Sequence, residues 1–147
     1  MTDLLKKTFD AETFRKQGHE LVDFLADYLK SVQNSTPDFK IWKKTLPDEL
    51  FERWENRDIN QPDSNVQNFF KNALAETMYL HHPHYMGHQT SVVAPVSALA
   101  ELFTGFLDTG MGVFEQGNVG VVLEKLLIKK LSEKMGMDAE KSSGFFT

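Results

Sequence analysis

The stretch His81-His82-Pro83-His84-Tyr85-Met86-Gly87-His88-Gln89-Thr90 constrains the folding of this chain more than any other. A proline inside a helix removes a backbone donor and collides with the preceding turn, and glycine loses more backbone freedom on ordering than any other residue. No regular helix runs through such a segment, so it reads as a loop. Four of the chain's five histidines lie in it, which makes it the lining of a candidate site and separates a front set of helices from a rear set.

In the front set, Phe14, Leu21, Val22, Leu25, Tyr28 and Leu29 recur at helical spacing after Asp10, a natural N-cap. This helix is predicted to stop near Ser31, because Gln33 to Asp38 cluster turn formers ahead of an extended Phe39-Lys40-Ile41-Trp42. Pro47-Asp48-Glu49 opens a short helix carrying Leu50, Phe51 and Trp54: proline lacks an N–H that a first turn does not need, and the acids suit the helix dipole. A polar linker from Asn56 to Asp63 follows. Ser64 and Gln67 then form a capping-box pattern for a third helix with Val66, Phe69, Phe70, Ala73, Thr77, Met78 and Leu80 on its apolar face.

In the rear set, Pro95 to Phe103 reads as a helix with small and apolar residues on most faces, which predicts burial on more than one side. Gly105, Gly110, Gly112 and Gly117 are expected to break the next stretch. A fifth helix is predicted from Asn118 to Met135, with Gly136 as its C′ residue. The ending Ser142-Ser143-Gly144-Phe145-Phe146-Thr147 carries an apolar pair suited to the start of a buried strand, so the chain reads as the front part of something longer. The first helix and the Phe103, Phe106 and Phe114 region together offer more apolar surface than a small bundle can easily hide, and a partner chain or further domain is expected to cover it.

The formal net charge of −5 is interleaved with no basic run longer than a pair, which excludes the basic stripe a nucleic-acid binder needs. With no cysteine there are neither disulfides nor thiolate metal sites, as suits a reducing compartment. The first residues lack the apolar segment of a secretory signal, and the longest uncharged run, Gln89 to Ala100, is too short and polar to span a bilayer. A cytoplasmic location is expected.

His82-x-His84 with His88 offers imidazoles that could converge on a transition metal. Against it, Pro83 and Gly87 spoil helical presentation and the loop holds no carboxylate; capping helix ends or lining a polar groove is the structural alternative. Gly110-Met111-Gly112 with Gly117 matches neither phosphate-loop spacing and reads as close backbone approach. Ser91, Ser142 and Ser143 stand in no nucleophile-elbow context. Glu115 and Glu124 fit ion pairs with neighbours such as Lys125 or Lys129 better than a catalytic couple.

Taken together, Phe14-Arg15-Lys16-Gln17-Gly18-His19-Glu20-Leu21-Val22-Asp23, His82-Pro83-His84-Tyr85-Met86-Gly87-His88, Phe114-Glu115-Gln116-Gly117-Asn118-Val119 leading to Leu123-Glu124, and Gly144-Phe145-Phe146-Thr147 resemble the group II pyridoxal-phosphate-dependent amino-acid decarboxylases along nearly the whole chain. The resemblance implies a mainly α fragment: an N-terminal three-helix dimerisation segment (residues 1–81), then the start of a fold-type I α/β large domain (residues 82–147). It further implies an obligate homodimer, a small amino-acid substrate, and His88, Gln89, Thr90 and Ser91 as the positions nearest that substrate. The segment from Gly110 to Phe114 would reach the neighbouring subunit's site. Pyridoxal 5′-phosphate would serve the parent carboxy-lyase, but its phosphate loop and Schiff-base lysine would lie past Thr147. The chain alone is expected to be inactive and to hold no catalytic, cofactor or metal residue. A free-standing helical interaction module is the alternative reading of the same residues.

Overall fold

Asp10 begins the longest described helix by accepting the backbone N–H of Thr13 at 2.7 Å, as an N-cap should. Hydrogen bonding from Thr13 holds this carboxyl below the usual carboxylate range. The structure is a computed structural model and describes residues 3–36, 38–55, 66–108 and 110–146. A short helix α1 (Asp3–Thr8) precedes α2 (Ala11–Gln33), and α3 (Pro47–Glu55), α4 (Val66–Ala75), α5 (Pro95–Leu107) and α6 (Phe114–Lys134) follow. No strand occurs among the described residues. The chain divides into two units, Met1–Val92 and Val93–Thr147.

In the first unit, α2 runs two residues past Ser31, and the Asn34 backbone N–H closes it on Lys30 O. The helix contacts α4 and buries Val32, which is 1 % exposed, while Phe14, Val22 and Leu25 of its apolar stripe stay exposed. Pro47 opens α3 with Asp48 and Glu49 in its first turn, as proline geometry predicts. Trp54 of α3 meets Phe69 of α4 edge-on at 5.7 Å, and Arg53 pairs with Glu76 at 3.3 Å. The capping box expected at Ser64, and the linker from Asn56 to Asp63, lie outside the described residues. The segment from Phe39 to Trp42 does cross the unit as irregular chain, tied down where the Tyr79 N–H donates to Ile41 O at 2.9 Å.

In the second unit, α5 passes through Gly105 and ends at Asp108, a left-handed C-cap with φ 49°. Gly105 therefore does not break the helix; an interior glycine costs only about 1 kcal/mol there, which helical neighbours outweigh. None of its residues is buried, contrary to the burial expected on several sides. Val96 is 71 % and Phe103 65 % exposed, because the second unit provides nothing to cover them. The α6 helix begins at Phe114, earlier than predicted, and kinks at Gly117. A Cβ on Gly117 would sit 2.8 Å from Gly110 O and 3.0 Å from Met111 Cα, so the Gly110-Met111-Gly112 turn does lie against the helix by close backbone approach. Gly136 (φ 73°) ends α6 as expected: its N–H bonds Glu133 O and the Met137 N–H bonds Ser132 O at 2.9 Å, the two bonds of a Schellman motif. Residues 142–146 are irregular rather than extended in a sheet. The Phe146 N–H donates to Glu124 Oε1 at 2.9 Å, and Glu140 pairs with Lys129.

Candidate functional site

The histidine segment is built on the end of α2. Its first residues form consecutive tight turns, with the His82 N–H donating to Tyr79 O at 3.1 Å and the Tyr85 N–H to His82 O at 2.9 Å. Pro83 fits because its missing donor falls between those two bonds. His82 is 5 % exposed and its ring lies flat on Phe39, with centroids 5.4 Å apart and planes 9° apart.

Both ring nitrogens of His82 are engaged. Ser35 Oγ lies 2.7 Å from Nε2, and the His84 backbone N–H donates to Nδ1 at 3.1 Å. The Ser35 hydroxyl commits its one proton to Val32 O at 2.6 Å, so it accepts from His82. Hydrogen-bond accounting thus assigns the Nε2–H tautomer. A buried polar ring with both nitrogens matched carries no desolvation penalty for an unmade bond.

His81 and His84 complete an aromatic cluster rather than a ligand set. His81 meets Tyr28 edge-on at 5.9 Å, and His84 meets His82 at 5.5 Å. Tyr79 packs between Tyr28 at 5.6 Å and Phe39 at 5.4 Å. Burial of Tyr28, reinforced by Tyr79, pushes its phenol above the ordinary tyrosine range. A metal reading of the histidines loses His82, whose nitrogens are occupied, and no three potential ligands converge among the described residues.

His88 and Gln89 follow in a reversal of the chain, with φ of 53° and 50°. Two consecutive non-glycine residues in the left-handed region are uncommon, and such strain concentrates where a loop has a task. Both side chains are exposed, as are Thr90 and Ser91. These four predicted substrate contacts follow one another in one short exposed run. Gly87 sits under the Tyr85 ring, where an added Cβ would lie 3.2 Å from the hydroxyl. The segment from Gly110 to Phe114 belongs to the second unit, where it turns against α6. Ser35, Tyr28 and Phe39 form the site although no motif in the sequence marks them; the cluster of turn formers after α2 is the one sequence signal pointing to Ser35.

Over 110 residues the chain is 28 % identical to tyrosine decarboxylase 2 of Arabidopsis thaliana, a match covering 73 % of this chain and 19 % of that protein. The chain therefore spans about a fifth of the length of that relative. No protein-family model matches the sequence. No described helix is long and apolar enough to cross a membrane.

Pyridoxal phosphate, the cofactor implied by the resemblance, requires a lysine amine and a cradle of donors for its phosphate. The groove of about 380 Å³ beside α2 is walled by Tyr28, Phe39 and Tyr79, with Asp27 as its one charged residue. Residues 81–91 contain no lysine or arginine. These residues do not fit the cofactor, and no chemical step through it is assigned to them.

Proposed function

We propose that this chain is the N-terminal part of a pyridoxal-phosphate-dependent amino-acid decarboxylase, contributing dimer interface and substrate entrance rather than reaction chemistry. The observation that carries the proposal is the match to a tyrosine decarboxylase along most of the chain. In this reading α2 and the helices of the second unit are covered by a second copy and by the body of the large domain. The exposure of Val96, Leu99 and Phe103 supports it, since apolar faces of that extent are seldom left to water.

The segment from His88 to Ser91 then stands at the mouth of the site, presenting an imidazole, an amide and two hydroxyls to an amino-acid substrate. Such groups select by hydrogen bonding, which discriminates strongly when a buried partner would otherwise go unmatched. The electron sink for loss of carbon dioxide is the cofactor's contribution, held by residues other than these.

The exposed faces also favour a second reading, a helical module that docks a partner helix without catalysis. The gene product purified from its source separates the two. A decarboxylase contains pyridoxal phosphate and releases carbon dioxide from an L-amino acid in a panel of aromatic, acidic and basic substrates. A product that carries no cofactor and leaves the whole panel intact overturns the enzyme reading in favour of the module.

A further inference from the structure

We propose that His82 is a positioning residue, a latch that fixes the His84–Ser91 segment to the end of α2 through Ser35. The inference rests on the reading of that segment as a substrate entrance. Its geometry is independent of that reading. The two partners are 47 residues apart in sequence and 2.7 Å apart in space, and the bond joins the turn just after α2 to the start of the loop.

Three features make this a latch rather than a reactive pair. The Ser35 proton is committed to Val32 O, so the hydroxyl is an acceptor toward His82 and has no base to activate it as a nucleophile. The Nδ1 atom is committed to the His84 N–H, which leaves His82 no free nitrogen for a substrate or an ion. Stacking on Phe39 fixes the ring plane, so the loop leaves His84 in one direction. With both nitrogens used by opposite sides of the junction, ring orientation and loop direction are set together. His88 and Gln89 then begin their reversal from a fixed point, four residues after His84.

The test uses the full-length gene product and the hydroxyl of Ser35, which touches no proposed substrate contact. Ser35→Ala is expected to raise KM about fivefold, the worth of one hydrogen bond, with kcat within about twofold of the parent. Ser35→Thr, which keeps the hydroxyl, restores KM. Combining Ser35→Ala with His82→Gln is expected to be no worse than the worse single variant, since both break the same junction. A lowered Tm in Ser35→Ala with KM unchanged overturns the latch and leaves a purely structural bond.

Amide hydrogen exchange over residues 84–91 gives a readout without substrate. Exchange accelerates in Ser35→Ala and recovers in Ser35→Thr if the latch holds, and exchange alike in all three proteins overturns it. Absence of any decarboxylase activity in the parent sinks the functional reading alone, because the exchange result still decides the latch.

Discussion

The two units hold themselves together in different ways. Around Ser35, Phe39, Tyr79 and His82, side chains from segments far apart in sequence meet each other, and each polar atom of the His82 ring has its partner within the unit. In the second unit the Gly110-Met111-Gly112 turn lies against α6 at Gly117 and hydrogen bonds close the turns, while the large apolar residues of α5 and α6 stay exposed. Apolar content is plentiful in both, so the contrast lies in where the covering atoms come from. The first unit encloses Val32 and the His82 ring with its own atoms while leaving Phe9, Phe51 and Met86 exposed, and the second encloses none of its described large apolar side chains.

The sharpest break of this comparison is Gly117→Val. Its Cβ would strike backbone atoms, which cannot swing away as a side-chain tip does, so the second unit is expected to lose about 2–3 kcal/mol in denaturant unfolding. A neutral result would show that the Gly110 turn is not what holds α6. Next in size, His82→Ala removes a stacked ring and two hydrogen bonds and is expected to cost about 2 kcal/mol, read from the unfolding midpoint.

Leu99→Ser on α5 should change the chain's own stability by less than about 0.5 kcal/mol, as exposed substitutions do, while reducing self-association in light scattering. A loss of about 2 kcal/mol or more would mean that the chain buries this face itself, erasing the contrast. The smallest effect is a local one at Asp10. Its carboxyl is held below the ordinary value of 3.8, so its capping is fully present above that value. Capping is lost as pH falls through the lower folded-state value. The Thr13 amide should exchange faster at that acidic end, and Asp10→Asn should flatten the pH dependence. An unchanged Thr13 amide across that range would sink the assignment of the cap.

What the sequence made legible was local. Asp10, Pro47 and Gly136 each act within a turn of their own position, by capping, by a fixed φ or by a positive one, and each does so in the structure. The helical fold class followed from periodicity alone. Gly105 reads as a break in the sequence, but its modest penalty is outweighed by its helical neighbours, and Gly117, which reads as a boundary, is a kink inside α6. The strand expected at the end of the chain is not found among the described residues, since strand formation needs a neighbour to pair with.

The candidate site was legible as a loop but not as a structure. The histidine run announced itself by composition, yet which histidine matters depended on Ser35, a partner 47 residues earlier that no local pattern can supply. Nor did His88 and Gln89 advertise their left-handed backbone, since residues with positive φ are most easily recognised when they are glycines.

The reversal at those two positions bears on any attempt to re-engineer specificity here. A saturation library at 88 and 89 would spend most of its members on β-branched and bulky residues that this backbone excludes, whatever their fit to a ligand. Restricting both codons to Gly, Asn, Asp, His and Gln keeps the shape of the reversal while varying charge and reach, and turns a search for a new preference into one over about two dozen proteins.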